Sequence, residues 1–374
     1  MNGRGNIRLG RSGIREGVCA SAIALSVGGI FSLDTKQVYE HGNSSYITLP
    51  LAALIALLLF LALLKLMKNA GAADLFGLLS KGFGMAAAPF ASAAVAILLL
   101  FSAYLPLSQF IQALHGLFFE GVSYARLAIF MVPAVLFLAW LGLEAVVRTA
   151  KCFSILIFIM FLLSVAASAS EFEISRLFPL PGNSIRSIAV QTFEEIGLFL
   201  PVMISLLTVS EGFNDTETTK KIAIRASLIS ASILFIAQFS LGMIYTYTEL
   251  SKQFMPIFRI NHLNMFEAHM MRLDKVAHVV FLNGALISAA FYAYCAAYLL
   301  VRAFGLNDIR PMAALCASII ALLLAAETET MNNNWFKTAK EFLMKTGFLT
   351  EALPLFAAGI IAAIGRKRRK QYAC

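Results

Sequence analysis

The apolar positions of this chain neither alternate as in a half-buried strand nor recur as a stripe of a surface helix; they run on without interruption. Uncharged stretches of about 20 residues match the thickness of a bilayer core. Ten such runs predict ten transmembrane helices: Glu16–Leu33, Tyr46–Leu66, Gly84–Leu107, Ala125–Leu143, Lys151–Ala169, Ile188–Val209, Ile222–Tyr245, Val276–Val301, Met312–Ala326 and Leu349–Ile364. The last two are short, and local bilayer thinning would let them span. Two intervening segments, Thr246–Lys275 and Glu327–Phe348, are longer than the other connections and carry amphipathic stretches such as Trp335-Phe336 and Phe342-Leu343 among lysines. They read either as interfacial helices or lids, or as plain connectors.

Composition supports this reading. The 374 residues are 59% hydrophobic and 14% charged, against about a quarter charged in soluble domains. The mean hydropathy is +0.79. A water-soluble fold has no means of hiding that much apolar surface. The formal charge of +9 is therefore no nucleic-acid signal, because much of it lies between spans, where cations fix topology. With the N-terminus inside, 19 Lys and Arg fall on the cytoplasmic side, including the tail Arg366–Lys370, and 11 on the other. Both termini are thus expected in the cytoplasm, which an even number of spans permits. Arg4, Arg8, Arg11 and Arg15 resemble the charged start of a signal peptide, but the following run is long and lacks a clear cleavage site, so it reads as a retained first helix. The cysteines, Cys19, Cys152, Cys295, Cys316 and Cys374, form no C-x-x-C pair, which excludes a disulfide framework or zinc site as the organising element. His262, Glu267 and His269 do not match a zinc spacing, and no phosphate loop, nucleophile elbow or catalytic constellation is present. No metal, cofactor or enzymatic activity is expected.

Ten spans suggest two blocks of five, about 16–170 and about 187–365, between a 1–15 N-terminal segment and a basic 366–374 tail. In inverted-repeat transporters the first helix of each block is interrupted near the midplane, where substrate binds. The first span carries Ser26-Val27-Gly28-Gly29-Ile30. Adjacent glycines weaken a helix and would free backbone groups for a ligand carboxylate, or would simply allow close helix packing. The sixth span carries Gln191-Thr192-Phe193-Glu194-Glu195-Ile196-Gly197 and then Pro201. A charged residue at mid-bilayer costs about 2.5–3.5 kcal/mol on insertion scales, so it faces a bundle interior or a wet cavity. Consecutive helical residues point about 100° apart, so both glutamates would face inward only if the helix breaks there. Such a carboxylate would bind a ligand amine, carry a proton or hold the bundle together. The alternative is a shifted span with the pair at the interface. Weaker polar candidates are Tyr104 in the third span and Ser288 and Tyr292, four apart on one face of the eighth.

These stretches, in order, resemble the spore germination permease family, the B subunits of nutrient germinant receptors within the amino acid–polyamine–organocation transporter superfamily. The resemblance covers about residues 14–365. It rests on Gly28-Gly29-Ile30; on Gly142-Leu143-Glu144 with Arg148; on Arg176-Leu177-Phe178-Pro179 with Gly182-Asn183-Ser184-Ile185; on Phe193-Glu194-Glu195 with Phe199-Leu200; and on Arg272-Leu273-Asp274, Phe291-Tyr292 and Tyr298-Leu299-Leu300. Glu195 takes the position of the family carboxylate. Glu194 stands where a small residue is commoner, and Asp34 where many members have proline. The resemblance implies an all-α integral membrane fold of two inverted five-helix repeats with broken helices 1 and 6. It also implies partner A-type membrane and C-type lipoprotein subunits in the inner membrane of the bacterial spore. The expected function is a germinant sensor that binds a small molecule such as an amino acid through Gly28, Gly29, Ile30, Tyr104, Phe193, Glu194, Glu195, Ser288 and Tyr292. The rivals are a proton-coupled amino acid transporter and a membrane scaffold without a ligand site.

Overall fold

The computed structural model describes residues 12–30, 44–117, 119, 121–178, 184–213, 215–250, 273–327 and 334–371. Their regular structure is helical throughout. The helices are α1 (Ile14–Ile30), α2 (Ser45–Ala70), α3 (Leu75–Phe83), α4 (Ala88–Leu117), α5 (Tyr124–Leu141), α6 (Leu143–Ala167) and α7 (Ile185–Thr208). They continue as α8 (Thr216–Ile244), the single turn α9 (Tyr247–Leu250), α10 (Leu273–Phe304), α11 (Arg310–Ala325), α12 (Asn334–Gly347) and α13 (Leu353–Gln371). A π turn, Phe348–Ala352, joins α12 to α13.

Among the described residues, eight helical segments are long and apolar enough to cross a membrane, the last of them running from Lys340 to Arg366 through the π turn. The shorter α1 and α11 bring the crossings to ten, and each overlaps one of the ten predicted runs. One expectation changes: the final crossing begins at Lys340 rather than Leu349. Residues 334–347 of the second long segment are helical, one of the readings open for it. In the other long segment, 251–272 lies outside the described residues, as do His262, Glu267, His269 and Arg272, and the predicted end of the first span at Leu33–Asp34.

Local chemistry sets the ends of these helices. Gly71, at φ 66°, closes α2 in the left-handed conformation while its N–H returns to the last turn at Lys68. Asp74 caps α3 by accepting from the Gly77 N–H at 2.7 Å. Gly142, at φ 101°, turns the chain from α5 straight into α6, a backbone geometry that favours glycine. Asp215 caps α8 through the Thr218 N–H at 2.7 Å, and Ser184 caps α7 through the Ser187 N–H at 3.1 Å.

α10 is the central helix, with 94% of its apolar window buried. It packs on α4, α6, α5, α1 and α11. Ala289, Ala290, Ala293, Ala296 and Ala297 are all fully buried on it, and small side chains of this kind let neighbouring backbones approach. α8 packs on α1 and α2, while α12 packs on α7 and α13 on α2 and α3. α5 and α6 form the outside of the bundle. Ile129, Phe130 and Phe137 on one, and Ile155, Leu162 and Leu163 on the other, are exposed, as a hydrocarbon solvent allows.

Candidate functional site

A narrow crevice of about 30 Å³ lies between α1, α4, α7, α10 and α12. Val27 and Gly28 line it from α1, Ser102 and Gln109 from α4, and Gly197 and Pro201 from α7. Ser288 and Tyr292 line it from α10, and Lys340 and Leu343 from α12. Helix α7 also carries a buried carboxyl group outside the crevice lining. Glu195 is 2% exposed, and its Oε1 accepts from Gln191 Nε2 at 2.9 Å. Gln191 in turn accepts from the Ser44 hydroxyl at 2.7 Å and donates to the Ser45 hydroxyl at 3.2 Å. The N-terminus of α2 thus holds the amide that holds the carboxylate. Lys340, buried to 4% exposure on the crevice wall, acts electrostatically on Glu195. A hydrogen bond to a charged group contributes about 1.5–3 kcal/mol, so this network offsets part of the insertion cost of the carboxylate.

The crevice offers opposite kinds of recognition. Lys340 and the Tyr292 phenol can donate to an anionic group. The Ser288 hydroxyl donates to Gly284 O at 2.8 Å, which leaves its oxygen as an acceptor for a ligand. An ammonium, a phenol and a hydroxyl on the wall of one apolar slot suit a small molecule with an anionic group and a donor.

Of the residues singled out in the sequence, Gly28, Ser288 and Tyr292 line the crevice and Glu195 lies beside it. The others point elsewhere. Gly29 is pressed on α8, where an added Cβ would come within 2.4 Å of Leu234. Ile30 lines an apolar lateral groove between α1, α6 and α8. Glu194 is half-buried and Phe193 is exposed, its ring 5.3 Å from that of Phe348. Tyr104 is buried on α4 near a different carboxylate, Glu327.

The expected breaks also need correction. α7 is helical without interruption from Ile185 to Thr208, and α1 through Gly28 and Gly29 to Ile30. The reason is packing. A Cβ on Gly197 would sit 2.0 Å from the carbonyl oxygen of Leu343, and one on Gly347 would sit 2.7 Å from the Gly197 Cα. These glycines permit a close crossing of α7 with α12 and are not hinges. The backbone irregularity of the bundle falls instead in the π turn after α12.

The sequence reading missed three buried acidic residues, Glu327, Asp74 and Glu351. Glu327, just after α11, accepts from the hydroxyls of Ser108 (2.6 Å) and Tyr124 (2.6 Å) and from Gln112 Nε2 (2.7 Å), tying α11 to α4 and α5. Arg302 at the end of α10 pairs with Asp74 at 2.9 Å, and Glu211 in the turn after α7 accepts from the Tyr298 hydroxyl at 3.4 Å. Burial, then the charge of Asp74, raises the Glu211 carboxyl above the usual carboxylate range. Glu351 in the π turn is the third. An acidic residue flanked by apolar ones was the available signal for Glu351 and, in Ala72-Ala73-Asp74-Leu75-Phe76, for Asp74; Glu327, at the edge of the connector, carries none. Among the described residues, no group of three or more His, Cys, Asp or Glu is placed to hold a metal.

A family model described as spore germination protein matches residues 20–333. Two solved structures share the fold. One is a Na+-coupled sialic acid symporter in a substrate-bound, outward-open state, at TM-score 0.62 and 12% identity, covering 94% of this chain and 89% of that one. The other is Mhp1, a nucleobase-cation-symport-1 family transporter in a closed conformation with bromovinylhydantoin bound, at TM-score 0.61 and 13% identity, covering 100% of this chain and 95% of that one. No curated protein matches. The all-helical membrane architecture expected from the sequence, about ten crossings in two inverted five-helix repeats, is the one these transporters share.

Proposed function

The chain belongs to the spore germination protein family, and from that premise we propose that it is a nutrient germinant sensor which binds a small molecule such as an amino acid in the crevice between α1, α4, α7, α10 and α12. The observation that supports the reading is a buried carboxyl, Glu195 on α7, with a buried ammonium, Lys340 on the crevice wall, acting on it electrostatically. A ligand with an ammonium and a carboxylate meets an opposite charge for each. Occupancy then favours one packing of the bundle over another, by no more than the ligand's differential affinity for the two. The signal passes to an A-type membrane subunit and a C-type lipoprotein subunit in the inner spore membrane, with both termini of this chain in the cytoplasm. The two repeats are assigned to about 16–170 and about 187–365. No catalytic step is involved.

Spores carrying Glu195→Gln test this. Losing the charge on one side of the site removes about 1.5–3 kcal/mol, so the half-maximal nutrient concentration should rise at least about tenfold. An unchanged response to each single amino acid that triggers the parent spores removes Glu195 from the mechanism. The second reading is proton-coupled uptake, which the fold shared with two symporters supports. Labelled alanine accumulating in proteoliposomes of the full chain, and lost when the pH gradient is collapsed, decides for that reading.

A further inference from the structure

The π turn Phe348–Ala352 holds a carboxylate that the crevice does not use. Glu351 is 1% exposed, and among the described residues neither of its oxygens has a hydrogen-bond partner. The turn itself is an i→i+5 irregularity, with the Leu353 N–H returning to Phe348 O, and such turns inside helices are frequent at functional sites. It packs against α7 directly beside the Gly197–Gly347 crossing. The elements around it carry Glu194 and Glu195 on α7, Lys340, Glu341 and Lys345 on α12, and Tyr292 and Cys295 on α10. Of these, the Tyr292 phenol lies within electrostatic range of Glu351, and Tyr292 is also a wall of the crevice.

We propose that Glu351 is a proton-binding site separate from the crevice and linked to it through Tyr292. An ionised carboxylate enclosed in this way has nothing to offset its lost hydration. A metal cation would need several oxygen ligands, and no partner atom among the described residues meets either Oε. A proton needs only the carboxylate oxygen: an O–H bond forms on Glu351, the proton comes from solvent water when the bundle opens, and nothing is oxidised or reduced. Loading and release at the π turn then bear on the helix that carries Lys340 and on the phenol that faces the ligand. The coupling to the crevice rests on the reading of that crevice as the ligand site, while the proton site itself does not.

Infrared difference spectra of the full chain in lipid nanodiscs, taken between acid and alkaline buffer, test it without any ligand. A protonated-carboxyl C=O band that disappears on alkalinisation should be present in the parent and in Glu195→Gln, and absent in Glu351→Gln. Glu351→Asp should retain the band at a shifted frequency, which guards against a Gln variant that fails to fold. Tyr292→Phe should move the band. A parent spectrum with no carboxyl band that changes, or a band unaffected by Glu351→Gln, overturns the proton site. A band indifferent to Tyr292→Phe overturns the link to the crevice. Failure of the Glu195→Gln spore experiment with these bands intact would instead overturn the ligand reading alone.

Discussion

At the scale of single residues, the strongest constraint lies at the α3 end of the bundle. The Asp74 side chain is 2% exposed and does two tasks, capping α3 through Gly77 and pairing with Arg302. Arg302→Met leaves that carboxylate buried and without its cation, a change that typically costs about 3–5 kcal/mol. Thermal unfolding in detergent should show a large loss, partly recovered in Asp74→Asn/Arg302→Met, where no charge is stranded. If the double variant is no more stable than the single one, the pair is not coupled. Glu211 adds a pH dependence. Its carboxyl is raised by burial and by Asp74, against Arg302 and Tyr298, which oppose the shift. The folded chain therefore binds this proton more tightly than the unfolded chain. That contribution is fully present below the unfolded carboxylate's value of about 4.3 and declines as pH rises through the raised folded value. Glu211→Gln should show a smaller fall in unfolding temperature from weakly acid to neutral buffer. An identical fall in the variant would assign the slope to other groups.

At the scale of helices, glycine contacts set the geometry. Gly197→Ala places a methyl group 2.0 Å from the Leu343 carbonyl oxygen, a backbone atom that cannot rotate away, so α12 must shift. Overpacking of this kind costs about 1–3 kcal/mol. Gly28→Ala, whose Cβ would meet only Leu198 O at 3.6 Å, should leave stability nearly unchanged; equal unfolding temperatures for the two variants would refute the crossing. The same residue shows where sequence reading stops. Beside Pro201, Gly197 reads as a hinge, because local propensity carries no information about a distant helix that needs the space. Glu195 was legible because a carboxylate inside an apolar run is costly wherever the chain folds. Lys340 and Glu327 were not, since both lie in the long connector Glu327–Phe348, whose lysines and acids read as solvated. The ten spans were legible from run length alone, with the last one mis-started because Lys340 and Lys345 mask its beginning.

At the scale of the whole molecule, two networks tie helix ends together. At the end of α10 Asp74 pairs with Arg302, with the Ser210 hydroxyl donating to Ala73 O at 2.7 Å and the Ser12 N–H to Gly212 O at 3.0 Å. At the end of α11 Glu327 gathers Ser108, Gln112 and Tyr124. Successive crossings alternate in direction, so these clusters lie on opposite faces. A site that senses or moves a ligand must open on one face at a time, and each cluster is then a separate latch. With the native cysteines replaced, Ser288→Cys in the crevice should react slowly with a membrane-impermeant maleimide. Adding Tyr124→Phe and Glu327→Gln removes two hydrogen bonds to a charged group, about 1.5–3 kcal/mol each, and should speed labelling by roughly tenfold or more from the α11 side only. Adding Asp74→Asn and Arg302→Met should speed it from the other side only. Labelling accelerated equally from both faces by either pair would mean general loosening of the bundle, and the clusters would not be latches. Side-specific acceleration follows only if the two networks close the same crevice independently.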